Sequence, residues 1–143
     1  MKNKKFWLGM LVMTSICVFL YGCEIPEDTG YTFEFKVDNI SGGAYATTID
    51  KIEFINGSNE NAPILQTEIL NLSTSQMSNV YIVSGFTEKD GNNKRIYGVR
   101  VTYTSITTSN TYTSFMYKSA SNKAKIIVQC SPIGTMRITD GNW

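Results

Sequence analysis

Asp90-Gly91-Asn92-Asn93 places a carboxylate, a glycine and two amides in an order that resembles part of a calcium-binding loop. Lys94 and Arg95 follow at once and no glutamate closes the loop, so the simpler reading is a hairpin turn. Two other carboxylate pairs could work together, Glu34 with Asp38 and Glu53 with Glu68. Hydrolysis by paired acids needs them about 5–10 Å apart with one pKa raised, and these residues alternate onto a face that the pattern makes solvated. Cys130 is the remaining candidate nucleophile. The chain has no histidine, so a thiolate there would lack its usual base, and the commonest metal ligand is missing as well. Cys130 is also in phase with the apolar positions 124, 126 and 128, which predicts a buried, inert thiol. No phosphate-cradling glycine loop, G-x-S-x-G elbow or H-E-x-x-H motif occurs. These residues predict a protein that is not an enzyme and that uses no metal or other cofactor.

Binding chemistry is better supplied. Residues 23–90 hold eleven acidic side chains against Lys36, Lys51 and Lys89, whereas residues 91–143 hold seven basic ones against Asp140 alone. If Val99, Val101 and Tyr103 face a core, alternation turns Arg100, Tyr112, Lys118, Lys125 and Arg137 outward onto one sheet surface. Such a surface could hold an acidic glycan, a lipid headgroup or a partner's acidic patch, with Tyr112 as an amphipathic anchor. The plainer reading is that these cations keep outer strand positions soluble and discourage edge pairing. The Ser/Thr run from Thr102 to Ser121 is similarly double: threonine favours strands, and a hydroxyl-rich surface suits adhesion or glycan contact.

The elements that must position these residues are strands. Tyr31, Phe33, Phe35 and Val37 interleave with Thr32, Glu34, Lys36 and Asp38, a period of two that segregates aromatics from charges. The run ends in a turn at Asn39 to Gly43. A second strand spans Ile49 to Ile55. Residues 61–72 fit either a short helix, with Leu65, Ile69 and Leu72 at i, i+4 and i+7, or an edge strand. Further strands are predicted over Val80–Phe86, Arg95–Thr104, Thr111–Lys118, Ala124–Cys130 and Thr135–Thr139. The joints at 88–93, 105–110, 119–122 and 131–134 are short and rich in Gly, Asn, Ser or Pro, which predicts antiparallel hairpins. Seven or eight such strands predict an all-β antiparallel sandwich, with a small closed barrel as the alternative. With 42% hydrophobic and 17% charged residues the 143-residue chain has the composition of a folded domain rather than a disordered one.

The N-terminus is of another kind. Lys2, Lys4 and Lys5 precede an uncharged run from Phe6 to Leu20, the pattern of a secretory signal. Leu20-Tyr21-Gly22-Cys23 then resembles the lipobox of bacterial lipoproteins, and Glu24, Glu27 and Asp28 resemble the acidic export tag of Bacteroidota surface lipoproteins. The resemblance covers residues 1 to about 28. It implies cleavage before Cys23, acylation of Cys23, and attachment of the protein to the outer membrane, facing the cell surface or alternatively the periplasm. The expected organisation is a signal over 1–22, a lipidated tether over 23–30 and a β-sandwich over 31–143. The mature chain would carry ten basic and twelve acidic residues, a balance of −2 that disfavours nucleic acid. The expected function is a non-catalytic binding, adhesion or accessory module. Two alternatives are an inhibitor that inserts the loops at 87–94 or 105–110 into a foreign hydrolase, and a subunit of a surface fibre that completes a partner's sheet.

Overall fold

A computed structural model describes residues 29–131 and 135–143. Cys23, the signal and the tether up to residue 28 lie outside the described residues. Eight strands follow one another: β1 (Tyr31–Asn39), β2 (Thr47–Ile55), β3 (Ile64–Leu72), β4 (Tyr81–Phe86), β5 (Arg95–Ser105), β6 (Thr111–Ala120), β7 (Lys125–Cys130) and β8 (Met136–Asp140). A single 3-10 turn at Gly43–Tyr45 interrupts the connection from β1 to β2. The strands form two open sheets of four, ordered β4-β1-β7-β8 and β3-β2-β5-β6. This is the expected sandwich and not the closed barrel.

The alternation in β1 has the predicted effect. Phe33, Phe35 and Val37 are fully buried, and they meet Phe54, Phe86 and Tyr97 between the sheets. Ring centroids lie 4.5 Å apart for Phe35 and Phe54 and 5.1 Å for Phe33 and Tyr97, within the range of favourable aromatic pairs. Cys130 lies in the same core, as its phase predicts. Residues 64–72 form an edge strand rather than a helix. Two register shifts between β2 and β3 break the period of two, which is why the sequence reads ambiguously there. Leu65, Leu70 and Leu72 pack inward, while Ile69 is exposed.

Three hairpins join β2 to β3, β5 to β6 and β7 to β8. The expected pairings of β4 with β5 and of β6 with β7 are not formed, because at 88–93 and 119–122 the chain crosses from one sheet to the other, although residues 88–96 close a short hairpin of their own with Lys89 bridged to Arg95. A short polar loop serves either purpose, and the choice is made by distant partners. β4 pairs with β1, and β7 pairs with β1 in parallel, Glu34 opposite Lys125 through Asn39 opposite Cys130. The centre of the first sheet is therefore built from the beginning and the end of the described chain.

The sandwich has two poles. Thr29 and Gly30 lead into it at one, the near pole, together with the loops 56–63, 87–94 and 121–124. Gly30, at φ +73°, lies so close to the backbone of Gly85 that a Cβ there would fall 2.7 Å from the Gly85 carbonyl carbon, so this approach requires glycine. The far pole carries loops 40–46, 73–80 and 106–110, together with Ser131 and Thr135, the described ends of the connection from β7 to β8. The nine residues of β1 separate the poles by about 30 Å at ~3.3 Å per residue.

Candidate functional site

The five residues expected on one basic surface are dispersed. Arg100, Tyr112 and Lys118 belong to the second sheet, Lys125 and Arg137 to the first. Tyr112 and Lys118 also face the other way from Arg100. They stand opposite the buried Tyr103 and Tyr97, whereas Arg100 stands opposite Phe115 on the outer face. Residues directly opposite in an antiparallel pair share a face, and β6 carries aromatic and hydroxyl side chains on both of its faces, so its parity was not readable from its own residues.

Arg100, Lys118 and Lys125 have local work. Arg100 Nε donates to Glu53 Oε2 at 2.7 Å and Nη1 to the Glu60 carbonyl at 3.0 Å, pinning the loop 56–63 over the outer face. Lys51 Nζ lies 3.1 Å from the other Glu53 oxygen. The hydrogen bond from Arg100, reinforced by Lys51, holds the Glu53 carboxyl below the usual glutamate range. Lys118 Nζ donates to the Ile138 carbonyl at 2.8 Å and ties the two sheets together at one side. Lys125 donates to the Trp143 carbonyl, and both Lys36 and Lys125 lie near the Trp143 ring, at 4.9 and 5.9 Å from its centroid. Arg137 is exposed on that outer face, beside Gln129, which in turn bonds Asp38. Cations and carboxylates thus interleave on the first sheet, and no single basic field forms.

The groups considered for catalysis are committed elsewhere. Asp90 Oδ1 accepts the backbone N–H groups of Asn92 and Lys94, each at 2.9 Å, and Oδ2 accepts the Ser119 hydroxyl at 2.6 Å. These bonds depress its pKa and close a turn, the role that the sequence reading preferred to a calcium loop. Burial, with Asp38 nearby, pushes the Cys130 thiol up to about 12, so it stays protonated at neutral pH.

What the fold assembles instead is the far pole. Its 22 described loop residues include no Asp, Glu, Lys or Arg, where the chain's 17% would give about four. Thirteen of the 22 are Ser, Thr, Asn or Gln. The near-pole loops, by contrast, hold Glu60, Glu88, Lys89, Asp90, Lys94 and Lys123. Large side chains stand exposed among the polar ones at the far pole: Ile106 is 58% exposed, Tyr45 55%, Ile40 47% and Tyr112 37%. Met77 and Val80 continue this set beside β4.

The pole is held rigidly. Ile106 N–H donates to the Ala46 carbonyl at 3.0 Å and the Thr107 hydroxyl to that of Ala44 at 3.1 Å, joining two of the loops. A third is tied to the end of β1: Ser75 N–H donates to the Asn39 carbonyl at 2.7 Å, and Asn39 N–H donates to the Gln76 carbonyl at 2.9 Å. Beneath them lies a buried polar floor. The Asn39 side chain donates to the carbonyls of Thr47 (2.7 Å) and Leu72 (2.9 Å) and accepts from the Ser41 hydroxyl (2.6 Å) and N–H (3.2 Å). Ser41 Oγ in turn accepts from the Thr47 N–H and hydroxyl, each at 3.0 Å. The Tyr112 ring is stacked on Tyr103 at 5.7 Å.

Sequence reasoning found Tyr112 but not Tyr45, Ile40 or Ile106, and it missed Trp143. The available signal was the lack of charge in separate runs, which acquires meaning only when the topology brings the runs together. The two loops considered for insertion into an enzyme separate, 87–94 to the near pole and 105–110 to the far one. Among the described residues no three His, Cys, Asp or Glu side chains are grouped to hold a metal ion, and no helix is long and apolar enough to cross a membrane. Comparison with protein-family models, with characterised proteins and with solved structures finds no match.

Proposed function

We propose that the protein is a lipid-anchored, extracytoplasmic and non-catalytic binding module, held through Cys23 and a short acidic tether and presenting its far pole outward. One observation carries this reading. The chain leads into the sandwich at the charged pole, and six of the ten exposed large apolar side chains among the described residues (Ile40, Tyr45, Met77, Val80, Ile106 and Tyr112) lie about 30 Å away at the pole whose described loop residues carry no charge. A ligand-contacting surface is expected to be depleted of charge and supplied with tyrosine, and to sit on loops fixed by a rigid scaffold. Acylation at Cys23 would supply firm attachment, since a second chain adds to one that is only marginal alone.

Cys23→Ala tests the anchor. The variant is expected in the soluble fraction and the natural protein in the membrane fraction; a variant that still sediments with membranes overturns lipidation. Thr108→Cys tests the orientation, because a membrane-impermeant maleimide should label it on intact cells. Labelling only after the outer membrane is breached would reverse the facing.

A second reading is favoured by one strand. β6 is a ten-residue edge paired to β5 without a register shift, whereas β4 and β8 have six and five residues and β3 is twice shifted. A long regular edge is the form that accepts another strand. Assembly through it predicts oligomers that grow with concentration and are lost on Tyr117→Lys; a monomer at every concentration refutes assembly.

A further inference from the structure

We infer that the far pole is a binding site for an uncharged saccharide, with the rings of Tyr45 and Tyr112 as its stacking surfaces. The inference rests on the binding-module reading above and names the ligand class for it.

Three observations converge. The first is electrostatic: 22 described loop residues without a formal charge offer nothing to a carboxylate, sulfate or phosphate, so an acidic polymer would lose its hydration there without a counter-charge. The second is the donor and acceptor supply. Twelve hydroxyl and amide side chains besides the buried Ser41 lie on these loops among the exposed apolar ones, and groups that both donate and accept match sugar hydroxyls, whereas serine is depleted where two proteins meet. The third is the state of the tyrosines. Tyr45 is more than half exposed on a turn whose neighbouring carbonyls, those of Ala44 and Ala46, are bonded by Thr107 and Ile106. Tyr112 is stacked against Tyr103 on one side and remains 37% exposed, with its hydroxyl 3.5 Å from the Asn110 amide. A ring held in place beforehand loses little freedom when the C–H face of a sugar settles on it. The polar floor of Asn39, Ser41 and Thr47 ties the base of loop 40–46 to β2 and, through the Leu72 carbonyl, to the end of β3.

The test uses the full chain in detergent, with insoluble mannan, xylan and β-glucan as neutral probes, polygalacturonate as an acidic one, and anionic phospholipid vesicles. Retention on at least one neutral polysaccharide is expected, changing less than about twofold between 50 and 500 mM salt, because screening has no charge pair to weaken. Tyr45→Ala and Tyr112→Ala should each weaken it about tenfold, while Tyr45→Phe and Tyr112→Phe, which keep the ring, restore most of it. Unfolding midpoints of the alanine variants within a few degrees of the parent exclude a folding defect. Retention only on polygalacturonate or on vesicles, retention that salt abolishes, or no retention at all overturns the saccharide. Those outcomes are separate from the Cys23→Ala and Thr108→Cys results, which judge the anchored, outward-facing module itself.

Discussion

Replacing Asn39 by alanine should cost this fold far more than an ordinary change at the end of a strand. The side chain is fully buried and makes four hydrogen bonds, two to the carbonyls of Thr47 and Leu72 and two from Ser41. Alanine removes both donors and the acceptor that orients the Ser41 hydroxyl. The Leu72 carbonyl loses its side-chain partner, while the Thr47 carbonyl keeps contacts from Ser41 and Thr74 only at 3.4 Å. Two lost bonds at ~1 kcal/mol each and about 1 kcal/mol for the stranded serine give roughly 3 kcal/mol. For a domain of this size that corresponds to a fall in melting temperature of roughly 10 °C. Urea unfolding followed by the emission of Trp143, the only tryptophan after Trp7, measures it directly. Ser41→Ala alone should cost about 1–2 kcal/mol, and the double variant should fall short of the sum by about 1 kcal/mol, because the two residues act in one network. A loss below about 1 kcal/mol for Asn39→Ala, or strict additivity, would refute the account of the far-pole floor.

Glu53 sets an acid limit on stability. Its folded pKa lies below its unfolded value, so its contribution is present above the unfolded pKa and is lost as pH falls through the folded one. Glu53→Gln should therefore flatten the decline in urea stability between neutral pH and pH ~3, and an unchanged slope would count against the Arg100 pairing. Cys130, buried and with its thiol pushed up to about 12, should resist iodoacetamide in the folded protein at pH ~8 and react once urea unfolds it. Prompt modification without unfolding would contradict that burial.

The sequence is most legible where one face of a strand is unmistakable. β1 sets four apolar residues against four polar ones, and its extent and inward face follow without any partner. β6 is the opposite case. Tyr112 and Met116 point inward and Phe115 and Tyr117 outward, so hydrophobicity does not choose a face and only the register with β5 does. Asn39 reads as a turn residue because asparagine favours turns, but its position as the last residue of β1 buries it and makes it a structural hub. The basic surface failed for a topological reason. Residues adjacent in the second half of the chain enter different sheets, because strand partners at long separation leave no local trace. The far pole shares that cause: loops 40–46, 73–80 and 106–110, each unremarkable, become one surface only after the strands have chosen their neighbours.

The parallel pairing of β1 with β7 also sets a timetable. Residues 31–39 cannot find their central neighbour until residues 125–130 are present, while β2 with β3 and β5 with β6 can form locally much sooner. Loops closed over most of the chain form slowly compared with hairpins. A polypeptide delivered from its N-terminus would thus hold one edge of its first strand unmatched, with β4 alone on the other side, until its last residues emerge. Only their delivery would close the first sheet and bring the finished body into being.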